Sequence, residues 1–322
     1  MRRALCACLL VAWVGCAGDV PPTPTPPPTP PPRADVLAEI QARGTLRVGT
    51  EFNSKPMIYA SEDGSQTGFE YRLMQGLARK LGVSLEPIGG AFKDLPATMA
   101  SGAVDLVIGG WIPSPDVEAA FSKSYLETGL CLVVRKGSAV ERLRDLRGKK
   151  VGIYADPTVE AWARRVLAES DVRPLSDGYF KLLVGEDLDA VVYDYPYAIA
   201  EMTPYAEELR VAQLNLSAIR YTVLVPLGND ALLAEVNAYI ADLRASGTYR
   251  DLLAEFLSTQ ATTPPGDLAG TIHIASGDPD SLSAVATAVY GDAAKWKVLW
   301  KANKGHIAFP ELVPKGTPVV VP

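Results

Sequence analysis

The chain has 322 residues, with 31 basic against 37 acidic side chains and a formal charge of −6. That length accommodates more than one domain and a sizeable core. The slightly acidic balance lacks the basic footprint of a nucleic-acid partner. Past the N-terminus no apolar run approaches the ~20 residues needed to span a bilayer.

The first sixteen residues read as an export signal. Arg2 and Arg3 precede the apolar run Ala4 to Val14, and Gly15 and Cys16 follow, which is the charged, apolar and small-residue order of a secretory leader. Trp13-Val14-Gly15-Cys16 resembles the bacterial lipobox, with Trp13 where leucine is usual. The resemblance implies that Cys16 becomes the lipidated first residue of the mature chain. Simple cleavage near Ala17, or a buried N-terminal helix, are the alternatives. Cys6 and Cys8 fall in the leader, so only Cys131 remains for the body. A single cysteine makes no internal disulfide, and an exported chain of this kind must rely on its core. Residues 17–36 contain the proline tract Asp19 to Arg33. Prolines favour the extended polyproline II form, and at ~3.1 Å per residue the tract is a stiff spacer of ~45 Å.

A globular pattern follows. Thr45 to Thr50 reads as a buried strand. Leu73, Leu77 and Leu81 recur at i, i+4, i+8 in a helix that Gly82 stops. Val83 to Ile88 is a second strand, a short helix starts at Asp94, and Ala103 to Gly110 is a third strand. The strand–helix alternation predicts an open α/β sheet. The pattern then restarts with strands at Gly129 to Arg135 and Lys149 to Ala155. A helix from Thr158 carries Val159, Trp162, Val166 and Leu167 on one side. A further strand spans Leu188 to Asp194, and Ile219 to Pro226 precedes a helix with Leu232, Val236, Ile240 and Leu243 in period. Thr262 to Asp267 is a second linker, and a small unit closes the chain.

The ordered series LRVGT, GFEYRLMQGLARKLG, ASGAVDLVIGG, FSKSY, LRGKKVGIYADPTVE, LDAVVYDYP and ASGTYRDLLAEF resembles the periplasmic solute-binding proteins of polar amino-acid ABC transporters. The resemblance covers about residues 37–258. It implies the type II periplasmic-binding-protein fold: lobe 1 at about 37–128 and 220–258, lobe 2 at about 129–219, crossover strands between them, and a ligand in the cleft. Ligands of open α/β sheets collect at the carboxyl ends of strands. Carried across residue by residue, the resemblance implies ligand contacts from Glu51, Phe92, Gly109, Gly110, Thr158 and Asp194. Beside the glycine pair, Trp111 reads as an apolar wall of the site. Ser54 and Met57 stand where relatives often have aromatics. Each position has a plainer reading: Phe92 and Trp111 as core, Glu51 as a solvated acid, Thr158 and Asp194 as helix caps, and the glycines as turn geometry.

One departure bears on the ligand. Relatives follow the small-residue pair with a turn whose arginine forks onto the ligand carboxylate. Here Trp111 to Ser122 is shorter and contains no basic residue, only Asp116 and Glu118. Neither valine nor aspartate replaces a planar guanidinium. Arg72 and Lys55 are the conceivable substitutes. A neutral or cationic ligand group is therefore expected beside this stretch.

After a linker at 259–269, residues 270–322 resemble a LysM domain, a βααβ unit that binds N-acetylglucosamine polymers such as peptidoglycan. Ile272, Ile274, Leu282, Val285, Val289, Trp296, Leu299 and Trp300 form its expected core. Its implied sugar site lies between Gly277 to Leu282 and Asn303 to Leu312, with Gly277, Asp278, Asn303 and Ile307 as contacts. The stretch GDPDSL carries two more residues than the common form, and a purely structural appendage is the alternative.

The body has no histidine, because His273 and His306 both lie in the tail. That removes histidine-based triads and metal clusters from the body, and no phosphate-binding glycine loop is apparent. No cofactor or metal is expected, and no enzyme. The resulting expectation is a lipid-anchored protein of the periplasm or cell envelope. It would bind a small polar, amino-acid-like or amine-bearing solute for an ABC permease, with the tail on peptidoglycan. The alternatives are a wall-associated sensor or scaffold built on a degenerate binding module, and, further off, a dehydratase-type enzyme.

Overall fold

A computed structural model describes residues 35–257, 270–277 and 280–322. The leader, Cys16, the proline tract, the second linker and Asp278 lie outside the described residues.

Two sheets form the body. In the first, Ser84–Gly89, Thr45–Thr50 and Leu106–Trp111 run parallel, and Ile219–Val225 adds antiparallel beyond them. In the second, Asp171–Leu175, Lys150–Tyr154 and Ala190–Asp194 run parallel, and Leu130–Arg135 and Leu209–Gln213 add antiparallel. The chain leaves the first sheet after Leu126–Thr128 and returns along Ile219–Val225. These two segments pair with each other through Thr128 and Ile219. Two adjacent crossovers are the covalent hinge of a two-lobed body.

Local chemistry explains the elements that position the cleft. The helix Phe69–Leu81 buries Phe69, Glu70, Leu73, Met74, Leu77 and Ala78 on one stripe and stops at Gly82, whose φ is 72°. Asp105 is fully buried and ties the first strand to the first helix through ion pairs from Arg43 and Arg47, the latter at 3.0 Å. The helix Pro157–Val166 differs from expectation on its inner face. Ala163 is buried in place of Val166, which is exposed, because 159, 163 and 167 keep the i, i+4, i+8 line while 166 rotates outward. Cys131 is buried and free.

The C-terminal unit pairs Thr271–Ile274 antiparallel with Pro318–Val321 around the helices Leu282–Tyr290 and Trp296–Asn303. Its core is Ala275, Leu282, Val285, Ala286, Leu299, Ile307, Val313 and Val319. Ile272 and Ile274 are exposed rather than in that core. They alternate onto one side of a two-stranded ribbon that has no third layer.

Candidate functional site

Gly109 and Gly110 end the strand Leu106–Trp111 with φ of 143° and 73°. A Cβ on Gly110 would meet Tyr197 Oη and the Tyr221 ring at 3.4 Å. The conformation calls for glycine here, while a Cβ would stand in ordinary contact with both tyrosines. The Gly110 N–H donates to Glu70 Oε1 at 3.0 Å and to Tyr125 Oη at 3.1 Å, and the Tyr125 hydroxyl donates to the same Glu70 oxygen. Glu70 is 0% exposed. Its Oε2 is buried with no hydrogen-bond partner. Burial pushes its carboxyl up to about 7, against the lowering effect of the Tyr125 and Gly110 hydrogen bonds.

Asp194 ends the strand Ala190–Asp194 in the second sheet and is 7% exposed. It stands at the N-cap of Tyr195–Glu201 but makes no side-chain cap bond to that helix, so capping does not account for it. Its Oδ2 accepts the Tyr221 hydroxyl, and Oδ1 is buried without a partner. Burial again raises the carboxyl to about 7, outweighing the Tyr221 bond. Tyr221 belongs to the first sheet, and Tyr197, on a second-lobe helix, reaches Gly110 in the first. The two lobes are therefore in contact, with two buried acids and three tyrosines between them.

Phe92 lies face to face on Trp111, with ring centroids 4.0 Å apart and planes 8° apart. Trp111 is 7% exposed and packs with Leu95, Met99 and Leu224, whereas Phe92 is 40% exposed. The outer ring offers an apolar face, and the inner one supports it. Met57 is buried in the core and lines no cleft, and Glu51 is exposed at the strand end.

Thr158 is exposed on the first turn of Pro157–Val166. Its N–H and that of Val159 donate to Asp156 Oδ1 at 2.8 and 3.0 Å. The expected carboxylate position at this helix start is thus taken by the chain's own acid, and proline at 157 supplies no N–H. Arg72 is bonded to Glu255 at 3.3 Å, and the Lys55 ammonium lies over the Tyr59 ring at 5.0 Å. Among the described residues no group of three or more His, Cys, Asp or Glu side chains could hold a metal ion. No described helix is long and apolar enough to cross a membrane.

Residues 46–259 match the model of the bacterial extracellular solute-binding proteins, family 3. The chain belongs to that family. It is 32% identical over 236 residues to the L-cystine-binding protein TcyJ of Escherichia coli K12, covering 70% of this chain and 88% of that one. The structure of an ancestral cationic amino acid solute-binding protein superposes with a TM-score of 0.63 at 27% identity, over 70% of this chain and all of that one. A membrane-bound lytic murein transglycosylase F of Ectopseudomonas mendocina is 26% identical over 241 residues, 68% of this chain and 47% of that one. The two-lobed periplasmic-binding-protein fold is thereby shown, and the family is predominantly one of binding proteins.

Glu70, Tyr125, Tyr197 and Tyr221 were not among the residues expected in this family member's cleft. One signal for Glu70 exists in the sequence: it shares the stripe of Leu73, Met74 and Leu77, where an acid is anomalous.

In the tail, two expected sugar contacts turn out to hold the unit together. Asn303 is fully buried; its amide donates to the carbonyls of Leu299 and Val320 at 2.7 Å each and accepts the Val320 N–H at 2.7 Å. Every hydrogen-bonding direction it uses points inward. Ile307 is buried in the core, and the Gly277 N–H is directed to Asp280 Oδ2 at 3.3 Å. The segment 303–312 is also the face that meets the body. Leu214 N–H donates to the Gly305 carbonyl at 2.8 Å, and the Asn215 amide donates to the carbonyls of Lys304 and Ile307 at 2.8 and 3.1 Å. Phe309 packs edge-on against Tyr195, and Glu311 pairs with Arg244 at 3.0 Å. A cavity of about 380 Å³ remains at this junction, lined in part by Arg244, Tyr249, Arg250, Ser281, Trp296 and Glu311.

Proposed function

We propose that this family member is an exported, lipid-anchored receptor for a small amine-bearing or amino-acid-like solute, which it passes to an ABC permease. The observation that carries the reading is Asp194. It is a buried carboxylate at a strand's C-terminal end, spent on no cap, with one oxygen open and no basic partner. A buried acid in that state is costly unless a cation reaches it. Phe92 supplies the flat outer wall, and the glycine pair brings backbone to the solute. The relatives named for L-cystine and cationic amino acids support the solute class. In this reading Cys16 carries the lipid, Asp19 to Arg33 sets the distance from the membrane, and the domain boundaries follow the expected ones.

The tail is proposed as a LysM unit that rests on peptidoglycan, supported by its strand–helix–helix–strand order. Glycan contacts then fall to Ser281, Ser283 and Trp296 at the junction cavity rather than to Asn303 and Ile307.

Thermal-shift titration of the purified chain with amino acids and amines tests the receptor role. A dose-dependent rise in Tm supports it, and silence across a broad solute panel favours the sensor-or-scaffold alternative. The observation on the side of that alternative is the firmly docked tail, which joins the hinge segment at Asn215 to both lobes.

A further inference from the structure

We propose that the cleft selects a protonated amine that carries no α-carboxylate, an inference that rests on the receptor reading above and narrows its ligand. Three independent features of the site converge on it.

First, the open valences of the site are carboxyl oxygens. Glu70 Oε2 in the first lobe and Asp194 Oδ1 in the second are both buried without partners. Several of the body's basic side chains are paired elsewhere: Arg43 and Arg47 on Asp105, Arg72 on Glu255, Lys80 on Asp242, Arg210 on Glu141. No ammonium or guanidinium among the described residues bonds to either cleft acid. A ligand ammonium supplies three donors, matching the open oxygen of Asp194 and the neighbouring hydroxyl acceptors.

Second, the segment after the glycine pair, Trp111 to Ser122, holds Asp116 and Glu118 and no base. A carboxylate arriving there finds no fork to bind and two acids nearby.

Third, the helix start facing the second lobe's strand ends is already neutralised. Asp156 takes the N–H groups of Thr158 and Val159, and residue 157 has none to give. A ligand carboxylate at that point would displace, and be repelled by, the chain's own acid. Lys55 is the cation left on the loop after Glu51, and it is exposed over Tyr59.

Isothermal titration of the full chain with matched pairs tests the inference: agmatine against arginine, and cadaverine against lysine. Each pair differs only by the α-carboxylate. The expected result is at least tenfold tighter binding of the decarboxylated member. Equal or tighter binding of the amino acids overturns the inference and leaves the receptor reading standing. If no aliphatic, guanidino or aromatic amine binds and no amino acid binds, both fail. Two variants separate the site from general stability. Asp194→Asn, folded by circular dichroism, should lose amine binding at least tenfold. Asp156→Gly uncovers the helix start and should shift the amino-acid-to-amine affinity ratio at least fivefold toward the amino acid; an unchanged ratio refutes the role given to Asp156.

Discussion

Tyr221 in the first lobe's sheet donates its hydroxyl to Asp194 in the second lobe. One phenol thus satisfies half of the cleft's principal acid and joins the lobes at the return crossover. Tyr221→Phe leaves Asp194 with no side-chain partner. Losing a donor to a buried carboxylate costs about 1–3 kcal/mol. Urea unfolding should show that loss, and amine affinity should fall with it because the acid is held less firmly.

Gly110→Ala strains the backbone. The backbone sits at φ 73°, and the new Cβ meets Tyr197 and Tyr221 at 3.4 Å. The left-handed conformation costs about 1 kcal/mol or more for a side-chain-bearing residue. Solute affinity should drop along with global stability, since relief of the strain shifts the Gly110 backbone that faces Tyr197 of the opposite lobe. Comparing the change in Kd with the change in unfolding free energy checks this.

The unliganded chain should become less stable as pH rises from about 5 to about 8. Glu70 and Asp194 are raised from 4.5 and 3.8 to about 7 in the fold. The native state therefore holds protons that the unfolded chain releases, and stability falls as pH passes through about 7. His306, lowered by burial, acts the other way at the acid end of this window. A Glu70→Gln, Asp194→Asn double variant should flatten the decline in Tm. A cationic solute should bind more tightly toward pH 8, where both acids are charged.

Asn303→Ala should unravel the tail without touching the cleft. It removes three buried hydrogen bonds and leaves the Val320 N–H and carbonyl unmatched, at about 1–3 kcal/mol for each unsatisfied group. Hydrogen exchange should rise across 271–321, while solute binding stays near wild type. Trp296→Ala, in contrast, should leave the tail folded and reduce retention on purified peptidoglycan.

Asn215→Ala removes two of the three hydrogen bonds described between 303–312 and the 214–215 segment. Faster exchange at the Gly305 and Ile307 amides, with little change in body Tm, is the expected readout. Because Asn215 holds a positive φ of 52°, Asn215→Gly serves as the control that keeps the backbone and loses only the amide.

The α/β alternation, the two lobes and the main apolar stripes were legible in the sequence, because side-chain period records which face of an element is buried. So was the missing guanidinium between Trp111 and Ser122, since an absent residue type needs no coordinates. Asp194 stood out for the same reason: an acid closing an apolar strand run is anomalous on its own chain. What tertiary structure alone decided is pairing. Whether Asp156 or a ligand takes the N–H groups of Thr158 and Val159 depends on one rotamer at a helix start. Whether Asn303 faces sugar or the Val320 backbone depends on how a helix meets a strand seventeen residues later in the chain. That Glu70, Tyr125 and Tyr221 converge on Gly110 depends on packing within the first lobe, and that Tyr197 joins them depends on contact with the second. Periodicity reports burial along one element, but a buried polar group finds its partner across elements, and only the folded packing fixes that choice.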